Sequence, residues 1–200
     1  MNYVFQPLTA EDQELIYQIK SKVLLNSIQA TLDNCHQQPA SPASLADIHR
    51  VETQIGSPLP PLIREIFLQV GDGGFGPAHG ITGLTSSYLT EDRSFVDHVL
   101  HTAQDIKAHL SESIAMSERA GAGDARLLEQ DKRHLQHWNA LGLETLIWYC
   151  NWGCNIVTVV DFGKPELPIF CADGLDIRAE NLRTLREWWW GWVDGSLIQP

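Results

Sequence analysis

A cluster of glycines inside residues 62–80, "LIREIFLQVGDGGFGPAHG", restricts the fold more than any other feature of the chain. Gly71, Gly73 and Gly76 formally satisfy the G-x-G-x-x-G pattern, but a dinucleotide-binding loop needs a strand before its glycines and a helix after them. Here apolar residues at helical spacing come first, Pro77 follows, and the segment has no Walker lysine. The pattern therefore predicts a helix that ends at a glycine-rich turn, with Gly71 as its left-handed C-cap.

Helical patterns also occupy the chain before this turn. Residues 11–36 carry apolar side chains at helical spacing, and the proline- and serine-rich residues 37–47 predict a linker after them. Ser44 is a possible N-cap for a second helix that the "GSPLPP" segment ends, and Pro60 and Pro61 are well placed to open the third. We expect an N-terminal helical arm (residues 1–40), possibly separate from the main fold, followed by one main domain (residues 41–200).

The chain after residue 143 has the alternation of a sheet. "LETLIWYCNWGCNIVTVVDF" predicts a strand, a tight turn and a second strand, and "LPIFC" predicts a third. A final helix is expected over about residues 179–193, with Leu182, Leu185, Trp189 and Trp192 on the stripe that faces the sheet. The prediction is an α+β fold: a mostly antiparallel sheet, N-terminal helices, a helical insertion and a C-terminal helix packed on the sheet.

The helical insertion is expected at about residues 91–138, as two polar helices separated by "GAG". It contains five of the eight histidines, namely His98, His101, His109, His134 and His137. Two pairs of them are three residues apart, but no carboxylate or cysteine completes a known zinc signature. We therefore expect solvated histidines on helix surfaces and no metal site here.

The charge of the chain bears on its partners. Twenty-five acidic and fourteen basic residues give a net charge of −11, which repels phosphate backbones and attracts a basic protein. The simpler alternative is that the acidic surface only keeps the protein soluble. No apolar run is long enough to cross a membrane, and the N-terminus lacks the pattern of a signal peptide. We expect a cytoplasmic protein that contacts neither nucleic acid nor membrane.

Two groups of residues are candidates for catalysis. Cys150 and Cys154 flank a hairpin turn and Cys171 lies on the next strand, but zinc needs about one more ligand, so buried reduced thiols are favoured. Asp72 and Asp161 are possible paired carboxylates in a groove. The favoured alternative is that Asp72 stabilises the glycine turn and Asp161 ends a strand. No G-x-S-x-G elbow is present, and we expect no catalytic residue and no cofactor.

Aromatic side chains next to flexible turns are candidates for partner binding. Glycines let a partner approach the backbone closely, and aromatic residues are frequent interface anchors. Successive helical residues point about 100° apart, so Trp190 in "WWWGW" is expected to be partly exposed, or else covered by the N-terminal arm, the helical insertion or another chain. The predicted partner-binding residues are Asp72, Phe75, Trp152, Asp161 and Trp190. The predicted structural turn residues are Gly71, Gly73, Gly74, Gly76, Pro77 and Gly153.

Three segments, taken in order, resemble the SMI1/KNR4 family of the SUKH superfamily. They are "LPPLIREIFLQVGDGGFGP", "WYCNWGCNIVTVVDF" and "LREWWWGWVDGSL", and the resemblance covers roughly residues 45–197 with the helical insertion between the first two. The resemblance implies an α+β binding module without a catalytic motif. Bacterial members of the superfamily are regarded as immunity proteins that neutralise toxins, and fungal members act in cell-wall regulation through protein contacts.

Together these observations predict a non-enzymatic immunity protein that binds a basic toxin domain, possibly a nuclease. One alternative is a regulatory scaffold that binds an endogenous protein. A less favoured alternative is a metal- or thiol-dependent enzyme, which stoichiometric zinc lost on Cys150→Ser and Cys154→Ser would support.

Overall fold

The computed structural model describes residues 5, 7–32, 39–85, 102–120, 125–141, 146–154, 156–173 and 176–197. These residues form an α+β fold, which confirms the predicted class. The helices are α1 (Ala10–Leu32), α2 (Leu45–Ile55), α3 (Pro61–Gln69), α4 (Thr102–Ala120), α5 (Ala125–Leu141) and α6 (Leu185–Asp194). The strands are β1 (Leu146–Gly153), β2 (Ile156–Asp161), β3 (Pro168–Asp173) and β4 (Asp176–Thr184). They form one antiparallel sheet in the order β1-β2-β3-β4.

The sequence signals for helix boundaries act locally, as predicted, at two of the N-terminal helices. Ser44 and Asp47 form a reciprocal capping box at the start of α2, and Gly56 ends that helix in the left-handed conformation. Pro61 opens α3 at a position where its missing N–H leaves no hydrogen bond unmade. None of the described helices combines the length and apolar character needed to cross a membrane.

Both faces of the sheet are covered, and successive residues of β2 and β3 are buried on opposite faces. Val160 pairs with Ile169 and Val159 pairs with Phe170 across β2 and β3. The first pair belongs to the main core and the second to a smaller core on the opposite face. The predicted alternation of β2 therefore places successive residues in two different hydrophobic clusters.

The main core joins the N-terminal helices to the sheet and to α6. Leu15 and Ile19 of α1 are fully buried in the same cluster as Ile63 of α3 and Trp189 of α6. The predicted linker is also attached to α3, because the Ala43 N–H donates to the Phe67 carbonyl at 3.0 Å. The N-terminal helix thus packs as part of the main fold, unlike the separate arm that its linker-like flank suggested.

The described part of the helical insertion forms a layer on the other face of the sheet. Leu110 of α4 and Trp138 of α5 are buried against Val159, Phe170 and Ala172. Three of the predicted histidines are described there: His109 and His137 are exposed and His134 is half-buried. His98 and His101 lie outside the described residues.

The prediction of a helix from about residue 179 is wrong. Residues up to Thr184 belong to β4, whose backbone pairs with β3 in register Ile169 with Arg183 and Pro168 with Thr184. The helix begins at Leu185 because Thr184 and Glu187 form a capping box. Leu182 therefore lies on β4 and outside α6.

Candidate functional site

The glycine-rich turn follows α3, as predicted, but its glycines have different tasks. Gly73, Gly74 and Gly76 have positive φ angles of 87°, 74° and 114°, which strongly favour glycine. Gly71 does not share this conformation, so its predicted role as a left-handed C-cap is wrong. Gly71 is required for space, because a Cβ there would lie 2.7 Å from the Ala40 carbonyl oxygen.

Several amide groups of the turn donate to carbonyls within the protein. The Gly74 N–H donates to the Ile81 carbonyl at 3.0 Å, and the Ile81 N–H donates to the Phe75 carbonyl at 2.8 Å. The Gly80 N–H donates to the Pro77 carbonyl at 2.8 Å. A phosphate-binding loop instead points its amides at the ligand. The turn is therefore built as an internally bonded loop.

The same turn is attached to β1 by backbone hydrogen bonds. The His79 N–H donates to the Asn151 carbonyl at 3.1 Å, and the Asn151 N–H donates to the Gly80 carbonyl at 3.2 Å. The Thr82 N–H donates to the Tyr149 carbonyl at 2.9 Å. Residues 79–82 thus extend the sheet beyond β1.

Asp72 connects the glycine-rich turn to residues 84 and 85 by hydrogen bonds. Its side chain is only 5% exposed, and its carboxylate accepts hydrogen bonds from the Leu84 N–H and from the N–H and hydroxyl groups of Thr85. A carboxylate that accepts several hydrogen bonds fixes the backbone that donates them. This geometry agrees with the structural alternative for Asp72.

An aromatic cluster connects the turn, the hairpin and α6. Phe75 stacks on Trp189 with ring centroids 5.9 Å apart, and Trp188 and Trp192 meet Trp189 edge-on. The Trp189 Nε1–H donates to the Tyr149 hydroxyl at 3.0 Å, so both polar groups are satisfied inside the core. Burial raises the pKa of Tyr149, which keeps its hydroxyl neutral. The three segments that resemble the SMI1/KNR4 family meet in this cluster.

The hairpin tip between β1 and β2 is a tight turn. Gly153 and Cys154 have positive φ angles of 90° and 51°. The Trp152 Nε1–H donates to the Thr158 hydroxyl at 2.7 Å, which ties the half-buried indole back onto β2. The His79 ring lies so close to Gly153 that a Cβ there would be 3.1 Å from its Nε2 atom.

The five predicted partner-binding residues fall into two groups. Asp72, Phe75 and Asp161 are buried, whereas Trp152 and Trp190 are half-buried and pack against the main core. Trp190 keeps part of its surface exposed, as the spacing predicted. The Asp161 carboxylate accepts from the Gly163 N–H at 2.9 Å and lies 3.8 Å from the Lys164 ammonium. Asp72 and Asp161 therefore bind different segments of the chain.

The described cysteines occupy three different environments. Cys150 is buried with its Sγ atom 3.4 Å from the Pro77 carbonyl, and burial raises the pKa of its thiol. Cys154 is exposed at the hairpin tip and Cys171 is half-buried on β3. Within the described ranges, no three or more histidine, cysteine or acidic side chains are grouped so that they could hold a metal ion.

Two polar contacts that fasten α1 to α6 were missed in the sequence. The Lys22 ammonium donates to the Trp192 and Val193 carbonyls at the end of α6 and lies 5.0 Å from the centroid of the Trp192 ring. The Arg186 guanidinium donates to Asp12 from two nitrogens, at 2.8 and 2.7 Å. Asp12 lies one helical turn before buried apolar residues, and that spacing was the available signal that it faces inward.

Comparisons with known proteins leave the chain unassigned. No protein-family model matches it, and no curated protein or solved structure matches it at a significant level. The resemblance to the SMI1/KNR4 family therefore stays a prediction that rests on the three segments.

Proposed function

We propose that this chain is a non-enzymatic protein-binding module of the SMI1/KNR4 type. In this proposal it acts in the cytoplasm as an immunity protein and neutralises a toxin by direct binding. The observation that carries the proposal is the meeting of the three family-like segments in one packed unit. Phe75 of the turn stacks on Trp189 of α6, which in turn donates a hydrogen bond to Tyr149 of β1. The three segments, which are separate in the sequence, are thus in contact in one structural unit.

The hydrogen bonding and burial of the candidate catalytic side chains support a binding role rather than a catalytic one. The carboxylate of Asp72 accepts hydrogen bonds from residues 84 and 85, and that of Asp161 accepts one from the turn after β2. The Cys150 thiol is buried, and a raised pKa keeps it in the less nucleophilic neutral form. All three residues are buried, and their polar groups contact other parts of the chain.

The charge supports a basic partner. The chain carries a net charge of −11, and exposed acidic residues lie on helices from both layers, including Glu14 on α1, Glu112 on α4 and Glu129 on α5. A nuclease must bind the phosphate backbone and therefore has a basic substrate groove. An acidic inhibitor is attracted to such a groove over a long range, which accelerates association at low salt.

The test is protection from a toxin together with binding in solution. The genes next to that of this chain are searched for a toxin, and absence of one would favour the regulatory scaffold. A toxin domain found there is co-expressed with the chain, and survival is compared with that of cells expressing an unrelated protein of equal net charge. We expect survival only with the chain. For the purified pair, we expect the association rate to fall about tenfold or more between low salt and about 0.5 M salt.

Two results would count against this function. Absence of a complex between the purified proteins at micromolar concentration would refute it, and a salt-independent association rate would refute the electrostatic explanation. Specific binding to an endogenous protein without toxin protection would favour the regulatory scaffold instead.

A further inference from the structure

The outward side of α1 carries large apolar side chains although the helix is already packed on its inward side. Tyr17, Leu24 and Leu25 are 63%, 63% and 66% exposed, whereas Leu15 and Ile19 are completely buried. Residues seven and eight positions apart lie on one side of a helix, so the three exposed side chains form a common surface. We call Glu14, Tyr17, Leu24 and Leu25 the outer face of α1. Lys20 and Ser21 lie between Tyr17 and the two leucines, and large apolar side chains grouped in this way on the outer side of a packed helix commonly mark an interaction site.

The charges beside this surface indicate what it fits. Glu14 lies on the same side of the helix one turn before Tyr17, and Glu11 is exposed one turn earlier still. Lys20 is also exposed, three residues after Tyr17 and four before Leu24, whereas Lys22 is turned towards the end of α6 and donates to its carbonyls. Two exposed acids against one exposed lysine along this face, together with the net charge of −11, favour a cationic partner and disfavour a second copy of the chain.

The helix that carries the face is held rigidly. The Lys22 ammonium and the Asp12–Arg186 pair both join α1 to α6, and Leu15 and Ile19 anchor it in the main core. A surface that is already ordered loses little conformational entropy when it binds. An exposed tyrosine between leucines is also the kind of side chain that contributes most at protein interfaces.

We propose that the outer face of α1 is the docking surface for a basic protein, and that it takes an apolar patch flanked by lysine or arginine. This inference rests on the proposed function and assigns the binding to a face that none of the family-like segments contains. The apolar side chains bind the centre of the partner's patch, and Glu11 and Glu14 pair with the cations at its rim.

The first experiment uses a defined probe, a synthetic amphipathic helical peptide with leucines on one side and lysines flanking them. Its counterpart has glutamates in place of the lysines. Fluorescence anisotropy with labelled peptide measures the dissociation constant for the wild type and for the double variant Tyr17→Ser/Leu24→Ser. The matched control is Leu45→Ser/Leu127→Ser, which removes two leucines that are 64% and 58% exposed on other helices.

We expect the wild type to bind the lysine peptide about tenfold or more tightly than the glutamate peptide. The α1 double variant should weaken binding of the lysine peptide about tenfold or more, and the control variant less than about twofold. Glu11→Lys/Glu14→Lys should also weaken it and reduce its salt dependence. Equal weakening by the control variant, or equal affinity for both peptides, would overturn the proposal.

The second experiment separates this surface from the proposed function. The toxin-protection assay is repeated with both double variants, whose circular dichroism should match that of the wild type because all four side chains are exposed. Loss of protection with the α1 variant alone supports the docking surface. Full protection by that variant refutes the docking surface while the proposed function stands. If the wild type itself fails to protect, the proposed function fails, and the peptide titration alone decides the docking surface.

Dimerisation of the wild type that the α1 variant abolishes would also overturn the proposal, because a second copy would then occupy the face.

Discussion

Replacing Gly73 by alanine tests whether the backbone of the glycine turn is closely packed against the rest of the protein. A Cβ at Gly73 would lie 2.5 Å from the Gly83 nitrogen and 2.7 Å from its Cα atom, both of them backbone atoms that no side-chain rotation can remove. The substitution also places alanine at a φ of 87°. Gly195 is the matched control, since its φ is 81° and no atom lies within 4 Å of its Cβ position.

The two variants differ by the clash alone, which sets the expected magnitudes. A left-handed conformation costs a residue other than glycine about 1–2 kcal/mol. Lower entropy of the unfolded chain offsets about 0.4–1 kcal/mol of this. Gly195→Ala should therefore destabilise the protein by about 1 kcal/mol. Forcing apart packed backbone adds about 1–3 kcal/mol. Gly73→Ala should then destabilise it by about 2–4 kcal/mol.

Urea unfolding followed by tryptophan fluorescence measures this difference, because Trp188, Trp189 and Trp192 are buried in the core next to the turn. At roughly 2–4 °C per kcal/mol for a chain of this size, thermal midpoints should fall by about 4–16 °C for Gly73→Ala and by about 2–4 °C for Gly195→Ala. Equal losses in the two variants would refute the conclusion that the turn packs its backbone against residue 83.

Three further predictions concern buried groups. Burial alone would raise the pKa of Asp12, but hydrogen bonds from a threonine and an arginine lower it below the usual value. The folded carboxylate therefore stabilises the protein above about pH 4 and loses this contribution as the pH falls through its lowered pKa. Asp12→Asn should flatten that acid-side loss in denaturation curves, and an unchanged pH profile would count against the ion pair. At neutral pH, iodoacetamide should modify exposed Cys154 in the native protein and buried Cys150 only after unfolding. Peptide mass spectrometry measures the modification of each cysteine. Rapid modification of both in the native protein would support the alternative of a thiol-dependent enzyme. Tyr149→Phe should cost about 1–3 kcal/mol in urea unfolding because it leaves the buried Trp189 N–H without its acceptor, and a loss below about 0.5 kcal/mol would contradict that hydrogen bond.

The parts of the fold that the sequence predicted depend on local signals. The helix before Gly71, the N-cap at Ser44 and the hairpin around Gly153 follow from spacing, capping and turn residues that act within a few positions. The segment before Thr184 was assigned to a helix because its strand character comes from pairing with the preceding strand β3, and its own residue spacing does not show this pairing. Tertiary pairing overrides local propensity in this way.

The exposure of the candidate binding residues was predicted only in part. Spacing indicated that Trp190 keeps an exposed part, since neighbours on a helix diverge by about 100°. Phe75 and Asp72 were expected near the surface because their segment is rich in glycine. They are buried because the turn folds against Trp189 and residues 84–85, and no local pattern encodes those contacts. The packing of α1 depends likewise on distant partners such as Arg186.

Hydrogen exchange at the turn amides, with and without added nucleotides, tests the central claim that the glycine turn is an internal platform and no phosphate cradle. The amides of Gly74, Gly80 and Ile81 donate to carbonyls of the turn itself, and that of Thr82 donates to β1. Their exchange should therefore be slow in the free protein, comparable to that of β2, and unchanged by ATP or NADH. Fast exchange in the free protein that becomes slow when a nucleotide is added would contradict the account.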